Sequence, residues 1–201
     1  MTAGFWIILV YMAFYGTLHS LLASRTAKLV SERWFGRKSR RMYRLGFSIM
    51  AVVTLLPVLA LTALLPDERI YAIPFPFTLL SGLLQLAGAA GVVYGVMQTG
   101  AMRFVGLDLA LDAEAVRRPV PFITRGLYRW VRHPLYTCSL VVLWLMPVMS
   151  WNLLALNLGV TAYFIIGARY EEDKLIDEFG QAYIDYRRKT PAFLPRLDRL
   201  G

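Results

Sequence analysis

The sequence predicts an all-α integral membrane helical bundle, with about five transmembrane helices and a C-terminal amphipathic helix on the cytoplasmic face. Three observations predict it. Hydrophobic residues make up 57% of the 201 and charged residues only 17%, against roughly 45–50% and about 25% in soluble domains. The apolar residues fall in runs close to the ~20 residues that cross a bilayer as a helix. The 22 Lys and Arg residues lie in the segments between those runs, so the net charge of +9 reads as the positive-inside pattern of a membrane protein and not as a nucleic-acid partner.

The first run, Phe5 to Ala23, is expected as a retained helix and not a cleaved leader, since no charged segment precedes it. Tyr11, Tyr15 and His19 recur along it at four-residue steps and share a face. From Arg25 to Arg44 the chain carries eight cations against Glu32 alone, interleaved with Leu29, Val30, Trp34 and Phe35. That pattern suits a short helix in the headgroup layer, its cations towards anionic lipid.

The second run, Leu45 to Leu65, has no charge, and Pro57 within it is expected to kink the helix. The third, from Ile73 to Met97, begins with Pro74 and Pro76 and carries Gly91 and Gly95, whose four-residue spacing lets a neighbouring helix come close. A polar loop with Asp108, Asp112, Glu114, Arg117 and Arg118 before Pro119 and Pro121 reads as a lid or binding loop. Leu135 to Ser150 and Trp151 to Ala168 are expected as the two arms of a tight hairpin. The polar helix beyond it has an apolar stripe of Leu175, Ile176, Phe179 and Tyr183, and ends in Arg187, Arg188 and Lys189 before Pro191. Residues 1–98 thus read as N-terminal membrane helices with a basic interfacial loop, and 99–201 as a core of loop, hairpin and amphipathic helix. Lys and Arg number 8 in the first connection, 1 in the second, 6 between Gln98 and His133 and 7 from Arg169 onward. That distribution sets the N-terminus outside and both ionic clusters inside.

The hairpin carries the functional argument. Arg132 and His133 precede Pro134 at one end, and Arg169, Glu171 and Glu172 stand at the other. A return through the membrane brings the two sets together, and charged groups at a membrane boundary are costly unless paired or hydrated. Pro134 starts a helix, whose N-terminal N–H groups attract an anion, and the two glutamates accept from a cation. A zwitterion with a hydroxylated or aromatic part for Tyr128 and Tyr136 satisfies both: S-adenosylmethionine, a phospholipid headgroup or a nucleotide. An ion-pair clamp that only holds the hairpin is the structural alternative. Cys138 alone excludes an internal disulfide framework and a cysteine-built metal site, and with His19 and His133 the only histidines no metal is expected.

Arg132-His133-Pro134-x-Tyr136 stands about 35 residues ahead of Glu171-Glu172, which is followed by Phe179-Gly180, Tyr183-x-x-Tyr186 and Pro195. This series resembles the C-terminal half of the isoprenylcysteine carboxyl methyltransferase and phospholipid methyltransferase superfamily, over roughly Gly126 to Pro195. His19-Ser-Leu-Leu-Ala-Ser24 and Tyr43-Arg44 resemble its NnrU-like branch, to which methanethiol S-methyltransferases are related. The resemblance implies an S-adenosyl-L-methionine-dependent enzyme in the lipid bilayer, acting on a small or lipophilic methyl acceptor in a membrane-open cavity above a cytoplasmic cofactor site. It implies cofactor contacts from Tyr128, Arg132, His133, Tyr136, Glu171 and Glu172. Arg169 and Glu172 take catalytic roles, Arg169 facing the acceptor and Glu172 as a candidate base, and His19, Tyr43 and Arg44 lie on the substrate side. Cys138 departs from the glycine the family often has there. Related haem-binding isomerases offer a second reading, with His19 and His133 as ligands, and a non-enzymatic scaffold a third.

Overall fold

A computed structural model describes residues 1–112 and 121–196, without the side chains of Arg37, Lys38 and Arg40. The expectation for Glu114, Arg117, Arg118 and Pro119 lies outside the described residues. Among the described residues the fold is all-α apart from one pair of short strands. Among the described residues four helices are long and apolar enough to cross a membrane, and the fifth apolar segment is a shorter helix, Pro134–Trp144. The chain's contacts group into two compact units.

The first unit comprises 1–69, 100–120 and 150–159. Helix α1 (Ala3–Ala23) is capped by Thr2, whose hydroxyl accepts from the Phe5 N–H at 3.2 Å. Ser24 ends it and caps α2 (Arg25–Leu64), accepting from the Ala27 N–H at 3.1 Å. Helix α2 runs through Pro57 but breaks at Gly36, where φ is 67° and ψ is −165°. The expected headgroup-layer helix is therefore its N-terminal arm, and the membrane span starts at Arg41. The polar connection forms two short helices, α4 (Ala101–Val105) and α5 (Leu107–Leu111), whose C-terminal end is bound by Arg41: Nε and a terminal nitrogen donate to the carbonyls of Leu109 and Ala110 at 3.3 and 3.1 Å. A cation there complements the helix dipole. Fully buried Asn152 donates from its side chain to the Leu65 carbonyl at 3.1 Å and accepts from the Thr2 hydroxyl at 3.2 Å, which ties the chain's ends of three helices together.

The second unit comprises 70–99, 121–149 and 160–201. Strand β1 (Arg69–Ala72) pairs with β2 (Val148–Ser150), and helix α3 (Phe77–Thr99) follows. Pro74 and Pro76 thus lie ahead of this helix and not in its first turn. Helix α6 (Pro134–Trp144) packs along α3. A Cβ on Gly91 would stand 2.6 Å from the Cys138 Sγ, so glycine here permits the close approach that the small-residue spacing predicts. Cys138 sits in that seam as a packing group. At 11 residues, α6 rises roughly 16 Å, about half of the ~30 Å hydrocarbon core. The first hairpin arm stops there because Leu145 to Pro147 leave the helix and β2 takes the pairing that β1 offers. The second arm is longer than expected: α7 (Trp151–Phe179) runs through the ionic cluster. The amphipathic tail is not one helix either, since Gly180 at φ 57° separates α7 from α8 (Gln181–Lys189).

Candidate functional site

The two charged ends of the hairpin meet in the second unit. Pro134 stands in the first turn of α6 with His133 as its cap residue, which orients Arg132 and His133 at the start of the helix. From α7, one turn beyond buried Ala168, Glu172 points at them. Its Oε1 accepts from Arg132 Nε and NH2, each at 2.7 Å, and lies 3.0 Å from His133 Nε2. Glu172 and His133 are buried. The other guanidinium nitrogen of Arg132 donates to the carbonyls of Thr190 and of Arg187, the latter at 3.2 Å. Charge-assisted bonds of this number hold the guanidinium in one orientation.

The adjacent carboxylate is different. The Glu171 side chain is 49% exposed, accepts from the Tyr136 hydroxyl at 3.1 Å and lies 3.7 Å from His133 Nδ1. Tyr136 stacks between His133, at 5.5 Å between ring centroids, and Phe164, at 4.4 Å. Phe193 stacks on His133 at 5.6 Å. Each imidazole nitrogen thus faces a carboxylate while the ring is held by aromatic neighbours.

Tyr128 enters from a 3-10 turn, Gly126–Arg129. Gly126 has φ 64°, and a Cβ there would meet Gln98. The Tyr128 carbonyl accepts from the Tyr186 hydroxyl at 2.5 Å. Burial first, and the Glu171 charge second, push the Tyr128 phenol up to about 12, so it is a neutral donor across the physiological range. Burial raises the Tyr183 and Tyr186 phenols as well. Tyr183 packs its buried ring beside Tyr186 and Phe122.

Arg132, His133, Tyr136, Glu171 and Glu172 are therefore brought together, with Tyr128 beside them. Arg169 is exposed on α7, and among the described residues no hydrogen bond or ion pair joins it to the cluster. His19, Tyr43 and Arg44 belong to the first unit. There the His19 ring stacks on Tyr15 and stands 4.3 Å from Phe47, the Tyr43 hydroxyl donates to the Leu22 carbonyl at 2.6 Å, and the Arg44 backbone abuts Gly106. Among the described residues no group of three or more His, Cys, Asp or Glu could hold a metal ion.

The sequence reading missed the segment after α8. The backbone N–H groups of Arg132 and His133 donate to the carbonyls of Pro191 and Ala192 at 2.9 and 3.0 Å, and the Thr137 hydroxyl donates to Phe193 at 2.8 Å. Arg187, taken from sequence as a helix-end cation, stands with NH1 3.9 Å from Glu172 Oε2 and remains 48% exposed. Its four-residue spacing from Tyr183 was the available signal, since both then share a helix face.

No protein-family model and no solved structure matches this chain. Over 76 residues, 38% of the chain, it is 45% identical to methanethiol S-methyltransferase 2 of Bradyrhizobium diazoefficiens, covering 29% of that protein. Over 96 residues, 47% of the chain, it is 38% identical to the methanethiol S-methyltransferase of Pseudomonas deceptionensis, covering 37% of it. A nickel-cobalt-cadmium resistance protein, NccN of Alcaligenes xylosoxydans xylosoxydans, is 31% identical over 83 residues, 40% of the chain and 39% of that protein. The matched part of the chain thus spans 29% and 37% of the two methyltransferases. These similarities support the isoprenylcysteine carboxyl methyltransferase-like family.

Proposed function

With the isoprenylcysteine carboxyl methyltransferase-like family as the premise, we propose that this chain is an integral membrane methyltransferase that takes S-adenosyl-L-methionine as its methyl donor. The acceptor is small or lipophilic: a thiol, an isoprenylcysteine carboxylate or a lipid amine. The names of the relatives favour the thiol. The observation that carries the reading is the unequal use of two adjacent carboxylates. Glu172 is engaged by the Arg132 guanidinium and the His133 ring, whereas Glu171 is half exposed and, among the described residues, meets the Tyr136 hydroxyl and the edge of His133.

The donor set fits a zwitterionic cofactor. Glu171 has acceptor capacity left for a cation, and the half-exposed Arg187 guanidinium can receive a carboxylate. Bound there, S-adenosyl-L-methionine supplies an electrophilic methyl group. The chain's own work is alignment and exclusion of water. Arg132 and Glu172 lock α6 to α7, which holds the His133, Tyr136 and Phe164 rings as an aromatic wall. Tyr128, neutral at working pH, donates without bringing charge beside Glu171. Arg169, exposed on α7, serves as the cation for the acceptor: it positions a carboxylate or lowers the pKa of a thiol. Glu172 Oε1 is engaged by Arg132 and His133, so we assign Glu172 to holding the site. The bacterial relatives and the distribution of cations favour an inner-membrane location with this site facing the cytoplasm.

Calorimetric titration of purified protein with S-adenosylmethionine and S-adenosylhomocysteine tests the reading. Saturable binding by the unmodified chain, weakened by His133→Ala and Glu171→Gln, is the expected result. Absence of heat in both detergent and lipid would remove the cofactor assignment.

A further inference from the structure

The N-terminal arm of α2, residues 25–35, is used by none of the chemistry above. Helix α1 ends at Ala23, and the spanning part of α2 begins at Arg41. The Tyr43 hydroxyl donates to the Leu22 carbonyl, and the rings of His19 and Phe47 are in contact, so the end of one span and the start of the next lie at the same level. The chain between them leaves and returns at one membrane boundary. Within it, Gly36 breaks the helix with a positive φ, and the Ser31 and Ser39 hydroxyls hydrogen-bond across the break. In an unbroken helix residues eight apart are roughly 12 Å apart along the axis, so this contact records a sharp corner.

The arm is exposed in an unusual way. Trp34 is 79% exposed and Phe35 72%, and Leu29 and Val30 are exposed too. At 100° per residue Ala27, Val30, Trp34 and Phe35 fall within an arc of about 140°, and Arg25, Lys28 and Arg33, with Leu29 and Glu32 among them, within another of about 140°. An arm standing off into water would leave the aromatic arc uncovered. An arm pressed fully into hydrocarbon would desolvate the cations. A second copy of the chain would bring the same cations against these.

We propose that the arm of α2 from Arg25 to Phe35 is an in-plane binding surface for anionic phospholipid, its aromatic arc in the acyl boundary and its cations on the headgroup phosphates. Glu32 is the one acid against eight cations between Arg25 and Arg44, so the net charge of the segment matches a negative leaflet. The corner at Gly36 turns the arm out of the spanning direction and into the plane.

The test uses the full chain reconstituted in bilayers where either phosphatidylglycerol or phosphatidylcholine carries acyl-chain bromines near the headgroup, at the same minor mole fraction. Trp34→Phe isolates the fluorescence of Trp34 by difference. The expected result is that brominated phosphatidylglycerol quenches the Trp34 component several-fold more than brominated phosphatidylcholine does. In Arg25→Gln/Lys28→Gln/Arg33→Gln the excess disappears, each cation contributing about fivefold in local enrichment. Equal quenching by the two lipids would overturn the preference for anionic headgroups. A Trp34 component quenched by neither lipid would overturn the proposal altogether and mean that water or protein covers the arm. The unmodified chain alone distinguishes these outcomes, so a poorly folding triple variant does not block the test.

Discussion

Glu172→Gln and Glu171→Gln are neighbouring changes with the same chemistry, and the geometry predicts opposite consequences for them. Glu172 Oε1 receives Arg132 Nε and NH2 at 2.7 Å and His133 Nε2 at 3.0 Å, and the Arg132 side chain is only 12% exposed. Glutamine keeps the shape and one acceptor but leaves that guanidinium without its counter-charge. Removing one partner of a buried pair costs roughly 3–5 kcal/mol, and the retained carbonyl keeps the loss near the lower end, about 3 kcal/mol. In a chain of this size about 1 kcal/mol moves the unfolding midpoint by 2–4 °C, so the midpoint should fall by about 6–12 °C. Glu171 is half exposed, and its replacement should cost less than about 1 kcal/mol of stability. It should nevertheless weaken methyl-donor binding tenfold or more, because a bond from a charged group is worth about 1.5–3 kcal/mol. Thermal unfolding in detergent, followed by tryptophan fluorescence, reads the first effect and calorimetry the second. If both variants lower the midpoint equally, or Glu172→Gln leaves it unmoved, the division of labour between the two carboxylates is wrong.

Gly91→Ala should destabilise the seam between α3 and α6 by about 1–3 kcal/mol through overpacking against the Cys138 Sγ. Cys138→Ala in the same chain should recover most of that loss, and additive effects in a double-mutant cycle would show that the two positions do not meet. The Tyr128 phenol gives a pH dependence. Its folded pKa of about 12 stands above the ordinary 10.0, so its contribution to stability is full below pH 10 and is lost as pH rises through 12. Unfolding midpoints measured across that window should fall less steeply for Tyr128→Phe than for the unmodified chain; parallel curves would contradict it. Tyr136→Phe removes the hydroxyl that donates to Glu171, and calorimetry should register weaker donor binding with an unchanged unfolding midpoint.

Much of this molecule was legible before any coordinates. The apolar runs announced the spanning helices because a bilayer imposes length and composition together. Pro134 announced the start of α6, and Gly91 the close face of α3. The meeting of His133 with Glu172 followed from an uncharged excursion with charged ends. Helix ends were harder. Nothing in the run from Leu135 to Ser150 reveals that Val148 to Ser150 will pair with Arg69 to Ala72, because a strand pairing depends on a distant partner. Gly180 divides a continuous apolar stripe that periodicity reads as one helix. The strap of Thr190 to Phe193 was invisible because it acts through backbone carbonyls, which every residue carries. Arg132 was legible as a cation but not as one whose donors are engaged by Glu172 and by two carbonyls.

Ultraviolet cross-linking of the reconstituted chain with radiolabelled S-adenosylmethionine, followed by peptide mapping, tests the central claim most directly. The account predicts label in peptides carrying Tyr128 to Tyr136 or Glu171 to Phe193, competed by S-adenosylhomocysteine and reduced in Glu171→Gln. Competed label confined to peptides from residues 1–98, or label indifferent to S-adenosylhomocysteine, would contradict it.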